Sequence, residues 1–153
     1  MKNNSVPFKI IKTDNVGIRE ETSFETEWYM NVNLFIISDG FKFGVAYNKN
    51  ECIKKEEEYI ILIDCQWEYI EITDTEYGAF VVAYSNGKCC CYSLLGKDEE
   101  FIIEIETTLI CNKEYSNIKY DRREDDRLLL LGNGNAKSYN IITQTVTESD
   151  LLL

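Results

Sequence analysis

Histidine is absent, proline occurs once, and Lys and Arg together number 16 against 27 Asp and Glu in a chain of 153 residues. Without histidine the chain lacks the side chain most used for proton transfer near neutral pH and the commonest metal ligand, which excludes most hydrolase triads and most zinc sites. A cysteine nucleophile would lack its usual base. The shortage of basic residues leaves a formal charge of −11. A surface of that sign repels phosphate backbones and anionic headgroups, so neither nucleic acid nor membrane is expected as a partner. No apolar run approaches the length of a membrane span and no secretory leader is legible in the first thirty residues, so the expected location is the cytoplasm.

With 44% hydrophobic and 28% charged residues, the chain is long enough for one domain with a sizeable core and short for two. A single domain over 1–153 is expected. Six cysteines, Cys52, Cys65, Cys89, Cys90, Cys91 and Cys111, are read as reduced thiols, because a chain of this size needs no staples and no C-x-x-C pair offers zinc spacing. On a strand, Cys89 and Cys91 point to one face and Cys90 to the other. Acidic residues stand in blocks, without the alternating spacing of a calcium loop. Gly132-Asn133-Gly134 leads into a strand, so no helix N-terminus is available to cradle a phosphate. Asp64 and Asp74 are the least clustered carboxylates and read as surface or turn residues. No cofactor, metal or catalytic residue is expected.

What is present is a repeat. Asp39-Gly40, Asn86-Gly87 and Asn133-Gly134 are spaced 47 residues apart, and each follows an apolar run: Leu34–Ile37, Phe80–Tyr84 and Leu128–Leu131. Such dipeptides between apolar runs are strong hairpin signals, and three tight hairpins are predicted. Glu57-Glu58-Tyr59-Ile60-Ile61 and Glu99-Glu100-Phe101-Ile102-Ile103 share a pattern that leads into a strand, with Phe8-Lys9-Ile10-Ile11 as a first copy. Cys65, Glu68, Tyr69 and Ile72 recur as Cys111, Glu114, Tyr115 and Ile118, displaced by 46 residues. Each repeat then holds four strands: an outer strand (59–63, 101–110), an inner strand (67–72, 115–120) and the two of the hairpin. Leu128–Leu131 predicts burial on both faces, and Ile103-Glu104-Ile105-Glu106 predicts one wet face. No long stripe of helical period is present, so the class is all-β, three tandem four-stranded repeats at about 6–50, 51–97 and 98–147.

The segment 114–120, the charged loop 121–127, Leu128–Leu131, Gly132-Asn133-Gly134 and Lys137–Asn140 together resemble a blade of the WD-repeat β-propeller family. Residues 68–73, 81–84, 86–87 and 89–93 look alike. Gly-His and Trp-Asp, the family's signatures, are missing, and Tyr92-Ser93 and Tyr139-Asn140 stand where Trp-Asp is usual. The resemblance implies a scaffold for protein–protein interaction and no enzyme. Propellers have about four to eight blades, so three blades would leave open edges for a second copy or a partner chain to complete. The alternative architecture is a β-trefoil, which closes on itself; a sandwich of hairpins is a third.

On the propeller reading the acidic groups Glu56, Glu57, Glu58 and Asp98, Glu99, Glu100, with the 121–127 loop, share one rim that would steer a basic protein partner. Trp28 and Trp67, near the start of inner strands, and Phe41, just after the first turn, are the aromatic contact candidates. Tyr69 and Tyr115 read as core. The leading expectation is a non-enzymatic interaction module, completed by homodimerisation or a partner. A second is a small acidic inhibitor or immunity-type protein that neutralises a basic enzyme. A third is a trefoil-type ligand or carbohydrate binder.

Overall fold

Alternation in the sequence becomes alternation in space: Ile103 and Ile105 are buried while Glu104 and Glu106 are exposed, because successive side chains of a strand leave on opposite faces. A computed structural model of the chain describes residues 8–20, 29–53, 55–99, 102–124, 126–132 and 134–148, and among them all regular structure is β. The strands are β1 (Lys9–Glu20), β2 (Tyr29–Ser38), β3 (Phe43–Asn48), β4 (Tyr59–Trp67), β5 (Tyr69–Thr75), β6 (Gly78–Ser85), β7 (Lys88–Glu99), β8 (Ile102–Tyr115), β9 (Asn117–Tyr120), β10 (Arg127–Gly132), β11 (Asn135–Asn140) and β12 (Thr145–Glu148).

Neighbours in the chain pair antiparallel from β1 to β4, from β5 to β8 and from β9 to β12. Two sheets result, one of eight strands and one of four. The larger exists because Arg19 and Glu20 of β1 pair in parallel with Leu95 and Gly96 of β7. Gly96 permits that approach: a Cβ there would lie 2.8 Å from Met30 Cε and 3.1 Å from Ile18 Cγ2. Neither sheet closes on itself among the described residues.

Two apolar clusters hold the layers together. The first joins Ile18, Val32, Leu34 and Val45 to Val81, Ala83, Cys90 and Leu94; the second joins Phe80, Val82, Cys89 and Cys91 to Ile118, Leu128, Leu130 and Tyr139. The meander of β5–β8 therefore contributes Val81 and Ala83 to one cluster and Phe80 and Val82 to the other, and β6 is buried almost throughout. The division of Cys90 from Cys89 and Cys91 between the two faces follows the same period of two.

The turns are more varied than the dipeptides predict. Asn86 and Gly87 both have positive φ, 55° and 73°, as a two-residue type I′ turn requires. Asp39-Gly40 instead opens a four-residue loop, since Ser38 pairs with Phe43. The Asp39 carboxylate accepts the Phe41 and Lys42 N–H groups, each at 2.9 Å, and so organises the longer loop. Phe8–Ile11 leads into a strand as expected, β1, which pairs with β2 along most of its length and with β7 at its end. One further expectation is corrected. Leu128 and Leu130 are buried but Leu129 and Leu131 are only half-buried, because nothing among the described residues covers the second face of β10.

Candidate interaction surfaces

The acidic tripeptide Glu56-Glu57-Glu58 closes the loop between β3 and β4 and is exposed throughout. Asn50 Nδ2 donates to the Glu56 carbonyl at 2.9 Å, and the Asn48 amide oxygen accepts the Glu58 N–H at 2.9 Å. Lys49 Nζ pairs with Glu58 at 2.9 Å, and Tyr59 Oη donates to Glu57 at 2.6 Å. Burial, then that bond to a carboxylate, push the Tyr59 phenol up to about 12. Asp98 and Glu99 end β7 and pair with Ile103 and Ile102 of β8. The start of β8 is tied to the β3–β4 loop, because the Ile103 N–H donates to the Lys49 carbonyl at 3.0 Å. Glu100 and Trp28 lie outside the described residues. The third charged segment folds on itself: Asp121 is buried and accepts Arg123 Nε at 3.2 Å, while Arg127 pairs with Glu124 at 3.2 Å.

The aromatic candidates separate. Phe41 is 86% exposed at the tip of the β2–β3 loop, whereas Trp67 is 7% exposed and belongs to the first apolar cluster, so it presents no contact face. Tyr69, read as core, is 54% exposed; it begins an end strand of the sheet and leans on Tyr84 with ring centroids 5.5 Å apart.

Three surfaces carry features that the local sequence does not announce. The first is the face of β1–β4 turned away from the apolar cluster. Register puts Thr13, Phe35, Ala46 and Ile61 in one row and Ile10, Ile37 and Gly44 in the next, of which Ile37, Gly44 and Ala46 are buried. Phe35 and Phe8 both meet the Tyr59 ring edge-on, at 5.5 and 5.8 Å, and Ile10 and Ile61 are each 42% exposed. At the polar end of this face Asn15 Nδ2 donates to Asn33 Oδ1 at 2.9 Å, and the Asn33 N–H donates to the Glu51 carboxylate at 3.2 and 3.3 Å. Burial raises the Glu51 pKa despite those bonds.

The second is a cavity of about 260 Å³ between the two sheets, with Arg19, Leu94, Tyr139 and Ile141 in its wall. Arg19 is 3% exposed; its Nε and Nη2 donate to the Tyr77 carbonyl at 3.2 and 2.9 Å, and its guanidinium lies 5.3 Å from the centre of the Tyr77 ring. The third is an open groove of about 580 Å³ between β1 and β5, walled by six consecutive residues, Tyr69 to Asp74. An adjoining hollow shares Asp74 and Arg122 with it.

All six cysteines are free thiols, four of them buried. Among the described residues no three acidic or thiol side chains converge as metal ligands, and no helix is long and apolar enough to cross a membrane. No protein family, curated protein or solved structure matches the chain.

Proposed function

We propose that the chain is a non-enzymatic protein–protein interaction module of WD-like propeller blades, completed by a second copy of itself. The observation that carries this reading is that the β5–β8 meander gives alternate residues of β6 to two apolar clusters, one shared with β1–β4 and the other with β9–β11, so that the meanders pack face to face. The outward face of β1–β4 buries Ile37 and Ala46 but leaves Ile10 and Ile61 each 42% exposed and Phe35 half-buried, and Leu129 and Leu131 lie half-buried on the far face of β10. Stacking these two ends across copies would repeat the face-to-face packing already present between meanders. Two copies would then supply six four-stranded units, within the range of about four to eight over which propellers close. Apolar sheet faces of this kind favour association because water leaves them on contact.

The test is the absolute mass by light scattering over a concentration series at two salt levels. A dimer that Ile61→Asp or Ile10→Asp converts to a monomer with unchanged circular dichroism is expected. A wild-type monomer at every concentration overturns the reading, and a heavier species only with added lysate protein replaces the second copy by another partner.

A second reading, an acidic inhibitor of a basic enzyme, is favoured by the Ile103–Lys49 bond, which ties the Asp98-Glu99 end of β7, through its partner strand, to the loop that carries exposed Glu56–Glu58. Association driven by those charges would slow steeply with added salt, whereas face-to-face stacking would not.

A further inference from the structure

We propose that the groove between β1 and β5 binds an extended peptide segment of another protein, which adds as a strand to the free edge of β5 and places a carboxylate on Arg122. The proposal rests on reading the chain as an interaction module, and it names a second surface and the chemistry of its partner.

The groove is lined by Tyr69, Ile70, Glu71, Ile72, Thr73 and Asp74 without a gap. Consecutive residues of a strand point to opposite faces, so a hollow that meets all six runs along the strand's edge and not over one face. β5 ends the path of the larger sheet and, among the described residues, pairs only with β6. Its outer row of N–H and C=O groups is therefore available at ladder spacing, and an incoming strand is the ligand whose own backbone satisfies such a row. The seven residues of β5 offer about 23 Å of edge at roughly 3.3 Å per residue.

The walls discriminate among strands. Ile36 and Ile70 are buried in the floor, Phe43 stands partly buried beside them, and Ile11 and Tyr69 rise on opposite rims at 53% and 54% exposure. These take an apolar side chain of the incoming segment. Lys12, next to Ile11, already pairs with Asp14 at 3.5 Å, and at the far end of β5 the Asp74 carboxyl accepts the Gly17 N–H. Arg122 lines both the groove and the adjoining hollow and has no ion pair among the described residues. Glu71 and Asp74 share the groove lining with it and Glu76 the hollow, so Arg122 is the one point there at which a carboxylate is attracted, and its planar fork suits one. The partner segment is thus extended, with an apolar residue toward Ile11 and Tyr69 and an Asp or Glu toward Arg122.

The experiment selects binders from a displayed library of random seven-residue peptides against the full-length chain, then synthesises the enriched peptides singly and with each amide N-methylated. Enriched peptides carrying an acid, that lose about tenfold in affinity when alternate amides are methylated and about tenfold against Arg122→Glu, are expected. They should also slow amide exchange at residues 69–75. No enrichment, binders indifferent to N-methylation, or binders unaffected by both Arg122→Glu and Tyr69→Lys overturn the proposal. Ile61→Asp, which alters only the outward face of β1–β4, separates this from the self-association reading: peptide binding survives it whether or not the dimer does.

Discussion

Lys49 is held from both sides: its N–H donates to the Glu58 carbonyl at 3.0 Å, and its own carbonyl accepts the Ile103 N–H at 3.0 Å. Two acidic stretches more than forty residues apart in sequence are brought into one neighbourhood by a single backbone group. The Glu56–Glu58 side chains are exposed and the links are made by the main chain, so fold and surface potential separate at this place.

Reversing the charges by Glu56→Lys, Glu57→Lys and Glu58→Lys together tests that separation. Exposed ion pairs such as Lys49–Glu58 contribute little, and the loop's backbone bonds do not depend on the carboxylates, so unfolding free energy should change by no more than about 0.5 kcal/mol. Association with a lysine homopolymer, by contrast, should slow markedly at low salt and converge with wild type at high salt. Unchanged kinetics would remove this loop from the partner surface.

Gly87→Val should destabilise the chain although the position is open. A Cβ at Gly87 meets nothing within 4 Å, yet φ is +73°. The cost is therefore in the backbone, about 1–2 kcal/mol for an L-residue and more for a β-branched one. Gly44→Ala should cost more for the opposite reason: its backbone is ordinary, but an added Cβ runs into the Ile63 carbonyl oxygen across the β3–β4 pair. Urea denaturation of both variants, with the second less stable, is the expected result; equal stability would contradict the packing of β4 on β3.

These two glycines also mark how far the sequence could be read. Asn86-Gly87 is a local signal and its turn is as expected, as is the alternation from Ile103 to Glu106. Tyr69 was misread because a recurring aromatic looks like core, and only the sheet order makes β5 an end strand and leaves its edge open. Gly96 carries no turn signal at all; its purpose appears only where β1 comes alongside β7. The groove is assembled from Ile11, Tyr69 and Arg122, which are far apart in the chain, and no spacing rule relates them. Arg19 carries no motif in the sequence, because its bonds to the Tyr77 carbonyl span 58 residues.

Thiol reactivity should report burial directly. Cys52 is exposed, while burial pushes the Cys89 thiol up to about 11 and raises Cys91 well above its ordinary value. Since the thiolate is the reactive form, Cys52 should be modified by iodoacetamide at pH 8 long before Cys89, Cys90, Cys91 or Cys111, with mass-spectrometric mapping as the readout. Early labelling of Cys91 would mean that the second apolar cluster opens readily in the native state.

Asp39 and Glu51 make opposite predictions about pH although both accept backbone N–H groups. The Lys42 and Phe41 N–H groups lower the Asp39 pKa below 3.8, whereas burial outweighs the Asn33 bonds at Glu51 and raises its pKa above 4.5. Asp39 therefore binds protons less readily in the folded chain. Its contribution is present above pH 3.8 and is lost as pH falls through its lower folded value. Glu51 binds protons more readily when folded; its contribution is full below pH 4.5 and is lost as pH rises through its higher folded value. Thermal unfolding should accordingly show Asp39→Ala reducing Tm at pH 7, with the deficit shrinking in acid. Glu51→Gln, which keeps an acceptor for the Asn33 N–H, should match or exceed wild type at pH 7 and lose any advantage below pH 4.5. A Glu51→Gln protein less stable than wild type at pH 7 would show that the ionised carboxylate is favoured at that position, and that the Asn33 bonds, not desolvation, govern it.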